Sequence, residues 1–141
     1  MLDVKKLFTK MLHAEFYGHQ GGVALTSKSL TSGTSWQELG HFTLPKGVWL
    51  VKCSASFPSN ATGRRVITIA DTSASAGAIT AITSVPAVNG YATYMHATYF
   101  WVSNGTSSVY FNGYQNSGST LSVTLRYTAY RVGDSVARLD T

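Results

Sequence analysis

The chain has 141 residues and a net charge of +5, and 44% of it is hydrophobic, which suits one domain with a real core and excludes a disordered chain. Charged residues are only 12%, about half the usual share, so the surface either closes in an oligomer or carries a Ser/Thr/Asn skin. The basic residues are scattered rather than striped, which argues against nucleic acid, and a single cysteine forbids an intrachain disulfide.

The first pattern is helical. Over Leu2–His13, the residues Leu2, Val4, Leu7, Phe8, Met11 and Leu12 fall on one face and the lysines on the other. Val4, Leu7 and Met11 also match heptad spacing, so copies could pack on a common axis. Asp3, Lys5, Lys6 and Lys10 interrupt the segment too often for a signal h-region. Glu15–Gly22, with Gly18, Gly21 and Gly22, reads as a linker. His13 and His19 lack the further ligands a metal would need. The expected organisation is a helix and linker over 1–22, a head domain over 23–133 and a polar tail over 134–141.

From residue 23 the chain reads as all-β. Candidate strands are Val23–Lys28, Trp36–Thr43, Gly47–Phe57, Arg64–Asp71, Ala78–Val85, Tyr91–Val102, Ser108–Gln115 and Leu121–Val132. In the third, Trp49, Val51, Cys53, Ala55 and Phe57 share an apolar face that needs a second sheet over it. Asn89-Gly90 and Asn104-Gly105 signal tight turns. The segments Asn60-Ala61-Thr62 and Asn104-Gly105-Thr106 match glycosylation sequons but read as turn chemistry. The fold expected is an eight-stranded antiparallel jelly-roll sandwich with a short N-terminal helix.

Tyr91–Val102 carries aromatics on both faces, which predicts burial by the second sheet on one side and by another subunit on the other. Tyr127 and Tyr130 repeat the pattern on the last strand. The expected trimer interface is therefore Tyr94, His96, Tyr99, Trp101, Tyr127 and Tyr130.

The stretch Phe42-x-x-Pro45-x-Gly47-Val48-Trp49-Leu50-Val51 resembles the opening of the globular heads of complement-subcomponent-like and tumour-necrosis-factor-like trimers. There an F-x-x-P turn leads into G-x-Y-x-F. Here the glycine comes one residue sooner, and Trp49 and Val51 replace the two aromatics. The segments Ser56–Arg65 and Tyr114–Ser119 resemble head domains of bacteriophage tail fibres and receptor-binding proteins. The resemblance covers roughly residues 36–132. It implies a homotrimer with a threefold axis lined by aromatic strands. It also implies a virion protein, made in the bacterial cytoplasm, that meets other virion structural proteins and a host surface polysaccharide.

Antiparallel strands put alternate connections at opposite ends. Ser29–Ser35, Pro58–Gly63, Pro86–Gly90 and Asn116–Thr120 fall at one end, and both termini at the other. If the helix joins a stalk, the first set points outward. Its rim carries the candidate ligand residues Trp36, Asn60, Arg64, Asn89, Tyr91, Gln115 and Asn116. Amides and guanidinium groups bond hydroxyls, and an aromatic face covers a sugar ring. Arg64 and Arg65 are adjacent in a strand, so one faces in and one out.

Enzyme chemistry is not expected. Of the six acids, Glu38 and Asp71 lie within the sandwich, and nothing pairs them as a glycosidase requires. No catalytic residue, cofactor or metal site is indicated. The alternative to a glycan-binding head is a purely structural trimerisation or decoration domain.

Overall fold

A computed structural model of the chain describes residues 24–33, 35–75 and 79–134. The expected helix, the glycine linker, His13, His19 and the tail beyond Asp134 lie outside the described residues. Within them the chain forms eight strands: β1 (Ala24–Leu30), β2 (Gln37–Thr43), β3 (Gly47–Phe57), β4 (Arg64–Ala70), β5 (Ile79–Pro86), β6 (Thr93–Ser103), β7 (Ser108–Gln115) and β8 (Leu121–Gly133). They build two four-stranded antiparallel sheets, ordered β1-β8-β3-β6 and β2-β7-β4-β5. This is a jelly-roll arrangement, in which consecutive strands alternate between the sheets except at the β4–β5 hairpin.

Period-two alternation explains the core. β3 reads buried at every odd position, from Gly47 to Phe57. Trp49, Val51 and Phe57 meet Phe111, Ile67 and Ile69 from the opposite sheet. At the start of β3, Gly47 takes a φ of +146°, and the Trp49 indole N–H donates to the Pro45 carbonyl at 2.9 Å. That bond locks the β2–β3 turn against the strand it introduces. Cys53 is buried on the same face, and burial pushes its thiol up to about 12.

The two outer faces differ. On the β2-β7-β4-β5 sheet the segment after β4 folds back over the strands. Asn112 is fully buried there; its Nδ2 donates to the carbonyls of Thr72 (2.8 Å) and Ser75 (3.1 Å), and its Oδ1 accepts from Ala74 N–H at 3.0 Å. This cover explains why β4 is buried on both faces after Arg64. On the β1-β8-β3-β6 sheet no described residue plays that part, and the outer face lies open.

β6 is the edge of that open sheet. Met95, Ala97, Trp101 and Ser103 point into the core, whereas Tyr94, His96, Thr98, Phe100 and Val102 are exposed. The strand is therefore buried on one side. Trp101 (6% exposed) is a core residue of its own subunit, with Tyr99 edge-on to it at 6.3 Å. Tyr127 also turns inward and stacks on Phe111 at 4.6 Å, with Phe42 at 5.5 Å. Trp101 belongs to the intrachain core, and Tyr127 packs against it. Of the six residues expected at a subunit interface, Tyr94, His96 and Tyr130 stand on the open outer face, and Tyr99 is part-exposed at the sheet edge. Tyr91 lies just before β6 rather than in it.

Candidate functional site at the loop end

Four connections meet at one end of the sandwich: residues 31–36, 58–63, 87–92 and 116–120. Two buried polar side chains hold them. Gln115 is fully buried; its Nε2 donates to the carbonyls of Leu30 (2.9 Å) and Ser119 (2.8 Å), and its Oε1 accepts from Ser117 N–H at 2.8 Å. Arg65, also fully buried, donates from Nη1 to the Thr62 carbonyl at 2.9 Å. Burial pulls its pKa below the usual guanidinium value.

Further bonds stitch loop to loop. Gly33 N–H donates to the Gln115 carbonyl at 3.1 Å, and Gly118 N–H to Ser32 Oγ at 2.8 Å. Asn60 Nδ2 donates to Ser119 Oγ at 3.1 Å, and Thr62 Oγ1 to the Ser117 carbonyl at 2.9 Å. Asn116 Oδ1 accepts from Arg64 N–H at 2.6 Å. Gly63 makes this contact possible: its φ is +83°, and a Cβ there would sit 2.5 Å from the Asn116 carbonyl oxygen. Ala87 N–H donates to the Gly63 carbonyl at 2.9 Å, which brings in the connection before β6.

The seven sequence-derived ligand candidates thus fall at this end, but in three different situations. Gln115 has its polar atoms engaged inside the protein and presents none to a ligand. Asn60 spends its Oδ1 on Thr62 N–H (2.9 Å) and Oγ1 (3.1 Å), an Asx turn of the kind read from the sequence. Asn104 does the same for Thr106 at the opposite end. Trp36, Arg64, Asn89, Tyr91 and Asn116 keep exposed or partly exposed surface. Trp36 leans on Tyr114, with ring centroids 5.8 Å apart. Arg64 faces out, bonds Ser84 Oγ through Nε and lines a shallow cavity of about 370 Å³ with Gly63 and Pro86. Tyr91 is 70% exposed, and the described contacts do not join it to Trp36 or Asn116.

Sequence reasoning passed over Arg65 and Asn112 as organisers. The signal for Arg65 was its odd register with Ile67 and Ile69, which puts it on the core face. Asn112 carried no comparable signal, because its burial comes from a loop that folds back.

No family profile and no curated protein sequence matches the chain. Solved structures similar to it include a protein of Bacillus endospore appendages, described as a family of disulfide-linked pili (8% identity, 82% of this chain, 93% of that chain, TM-score 0.44). Another is infectious bursal disease virus, Gx strain (8% identity, 80% of this chain, 32% of that chain, TM-score 0.47). A third is a carbohydrate-binding module, CBM6cm-2, from Cellvibrio mixtus lichenase 5A in complex with cellotriose (16% identity, 79% and 92% coverage, TM-score 0.42). At these identities and TM-scores none of them carries a fold or a function across to this chain. Among the described residues no helix is long and apolar enough to cross a membrane, and no group of His, Cys, Asp or Glu gathers as a metal site.

Proposed function

We propose that the chain is the trimeric head of a virion fibre or receptor-binding protein and that it reads a host surface glycan with its loop end. The observation that carries this reading is an apolar strip on the open sheet. Phe100 (63% exposed), Val102 (62%), Val132 (50%) and Tyr130 (38%) stand there beside Leu50. Such rings and branched chains in one patch favour contact with further copies of the chain. The strip sits where β3 begins and β8 ends, at the end of the sandwich opposite the four loops. Association there leaves the loop end free. At that end a cross-tied rim presents Trp36, Arg64, Asn116, Asn89 and Tyr91, suited to hydroxyls and ring faces. Weak sites on three subunits would act by avidity.

The role is binding rather than catalysis. Glu38 is taken up by His41 Nδ1 at 2.7 Å and by the Ser73 hydroxyl, and Asp71 accepts from Thr72 at 2.9 Å. A second reading, a structural head that recognises nothing, is favoured by the internal use of Asn60 and Gln115.

Sedimentation of the full chain tests the assembly. The expected mass is three times that of the chain, falling to a monomer in Phe100→Asp; a folded wild-type monomer rejects the trimer. Retention on purified bacterial surface polysaccharides tests the rim. Loss in Trp36→Ala and Asn116→Ala supports glycan reading, and no retention on any polysaccharide leaves the structural reading.

A further inference from the structure

The open face of the β1-β8-β3-β6 sheet changes character along its strands. Register defines the rows. Nearest the start of β3, Leu50 lies between Tyr130 and Phe100. One step along, Lys52 lies between Thr128 and Thr98. The next row is Arg126, Ser54 and His96, and the last is Thr124, Ser56 and Tyr94. Apart from Leu25 on β1, which stands exposed beside Arg126, apolar surface thus gives way to cations set in hydroxyls.

Adjacent strands lie about 4.8 Å apart, so Arg126 and His96 flank Ser54 at about 10 Å from each other, with Lys52 about 7 Å along the strand. The three line a cavity of about 340 Å³ with Ser54, Thr98 and Tyr130. A second hollow of about 230 Å³ continues it past Arg126 and His96 to Tyr94 and Thr124. Nothing within the described chain neutralises the cluster. Its acids are Glu38 on the other sheet, Asp71 after β4, and Asp134, which pairs with Arg131 at 2.7 Å. Two cations and an imidazole gathered over serine and threonine hydroxyls, beside the Tyr94 ring, match an anionic group on a hydroxyl-rich polymer.

We propose that this groove binds an acidic saccharide, with Arg126 and Lys52 holding its carboxylate or phosphate, His96 supplying a ring nitrogen, and Tyr94 bordering the sugar units. The site is separate from the loop end and stands without it. It also gives Tyr94 and His96 a role other than subunit contact.

Calorimetry on the full chain tests this, with trigalacturonic acid, inorganic phosphate and neutral maltotriose as probes. Trigalacturonate binding points to a carboxylate polymer and phosphate binding to a phosphate polymer; either supports the site if affinity falls as salt rises. Arg126→Gln and Lys52→Gln should each weaken binding about tenfold, while Lys46→Gln in the β2–β3 turn, an exposed cation outside the groove, leaves it unchanged. Both groove positions are exposed, and unchanged unfolding midpoints would confirm intact folds. The proposal is overturned if neither anion binds, if maltotriose binds equally well, or if Lys46→Gln abolishes binding and Arg126→Gln does not. A trimer closed over the groove would also bind no anion and would overturn it. Failure here leaves the sedimentation result and the Trp36 result untouched, so the two readings fail separately.

Discussion

Arg65 and Gln115 face each other across the β4–β7 ladder, both fully buried, and both reach toward the loop end. They do similar work with different chemistry. Gln115 is neutral and bonded through both ends of its amide. Arg65 is charged, has no acid partner among the described residues, and its Nε is buried without a hydrogen bond.

That difference predicts unequal costs. Gln115→Leu strands the Leu30 and Ser119 carbonyls and the Ser117 N–H, and should lower stability by about 2–4 kcal/mol. Arg65→Met loses bonds to loop carbonyls but also removes an unpaired buried charge, so it should cost less, about 0–2 kcal/mol. Urea midpoints of the two variants decide this. An Arg65 variant that loses more than the Gln115 variant contradicts it.

Gly63 is the next tight point. Gly63→Ala forces a side chain into a left-handed conformation and against the Asn116 carbonyl. The expected loss is roughly 2–3 kcal/mol, with backbone shifts at residues 116–118 visible in amide spectra. Gly118→Ala makes a useful comparison: its φ is +84°, but a Cβ there meets open space, so only the conformational part of the cost should appear.

Cys53 should be inert in the folded protein. Its thiol titrates at about 12 instead of 9.0, so native protein resists thiol reagents at pH 8 and reacts once unfolded. The sign for stability follows from proton counting. Above about pH 9 the unfolded thiol loses its proton while the folded one keeps it. Stability therefore falls as pH rises from there toward 12, by about 1.4 kcal/mol per pH unit. Cys53→Ala should remove this slope from denaturation measured between pH 9 and pH 11.

Glu38 acts at the acid end. The Ser73 hydroxyl, then the hydrogen bond and charge of His41, hold its carboxyl below the usual value. Its contribution is present above the unfolded-state pKa and is lost as pH falls through the folded one. The pair is part-exposed, so the effect stays under about 1 kcal/mol. Glu38→Gln should lower stability at neutral pH by up to that amount and leave the acid extreme little changed, so the acid limb of the stability profile flattens.

The strand count was legible because alternation and turn residues mark each strand locally. β3 and β7 occur with the bounds expected from sequence. Alternation also groups residues by face, as with Arg64 out and Arg65 in. It does not say which face another part of the chain covers. Phe100 and Trp101 are neighbours of similar type, yet one is exposed and the other is core. The aromatic β6 therefore suggested a double burial that a single chain does not supply. Gln115 was misjudged for a related reason. It follows Phe111 and Gly113 on the inward register, so its position pointed to the interior while its residue type pointed to a rim.

The turn after β6 sets how the protein will age. Asn-Gly pairs lose ammonia when the glycine nitrogen attacks the asparagine side-chain carbonyl, which requires that side chain to swing back along the backbone. At Asn104 the carbonyl oxygen accepts from the backbone and hydroxyl groups of both Thr106 and Ser107, at 2.9–3.1 Å. Its attack geometry is tethered. Asn89-Gly90 sits exposed at the loop end with no such tether described. Deamidation on storage should begin at Asn89, adding a negative charge to the rim beside Tyr91 long before the opposite end of the sandwich changes.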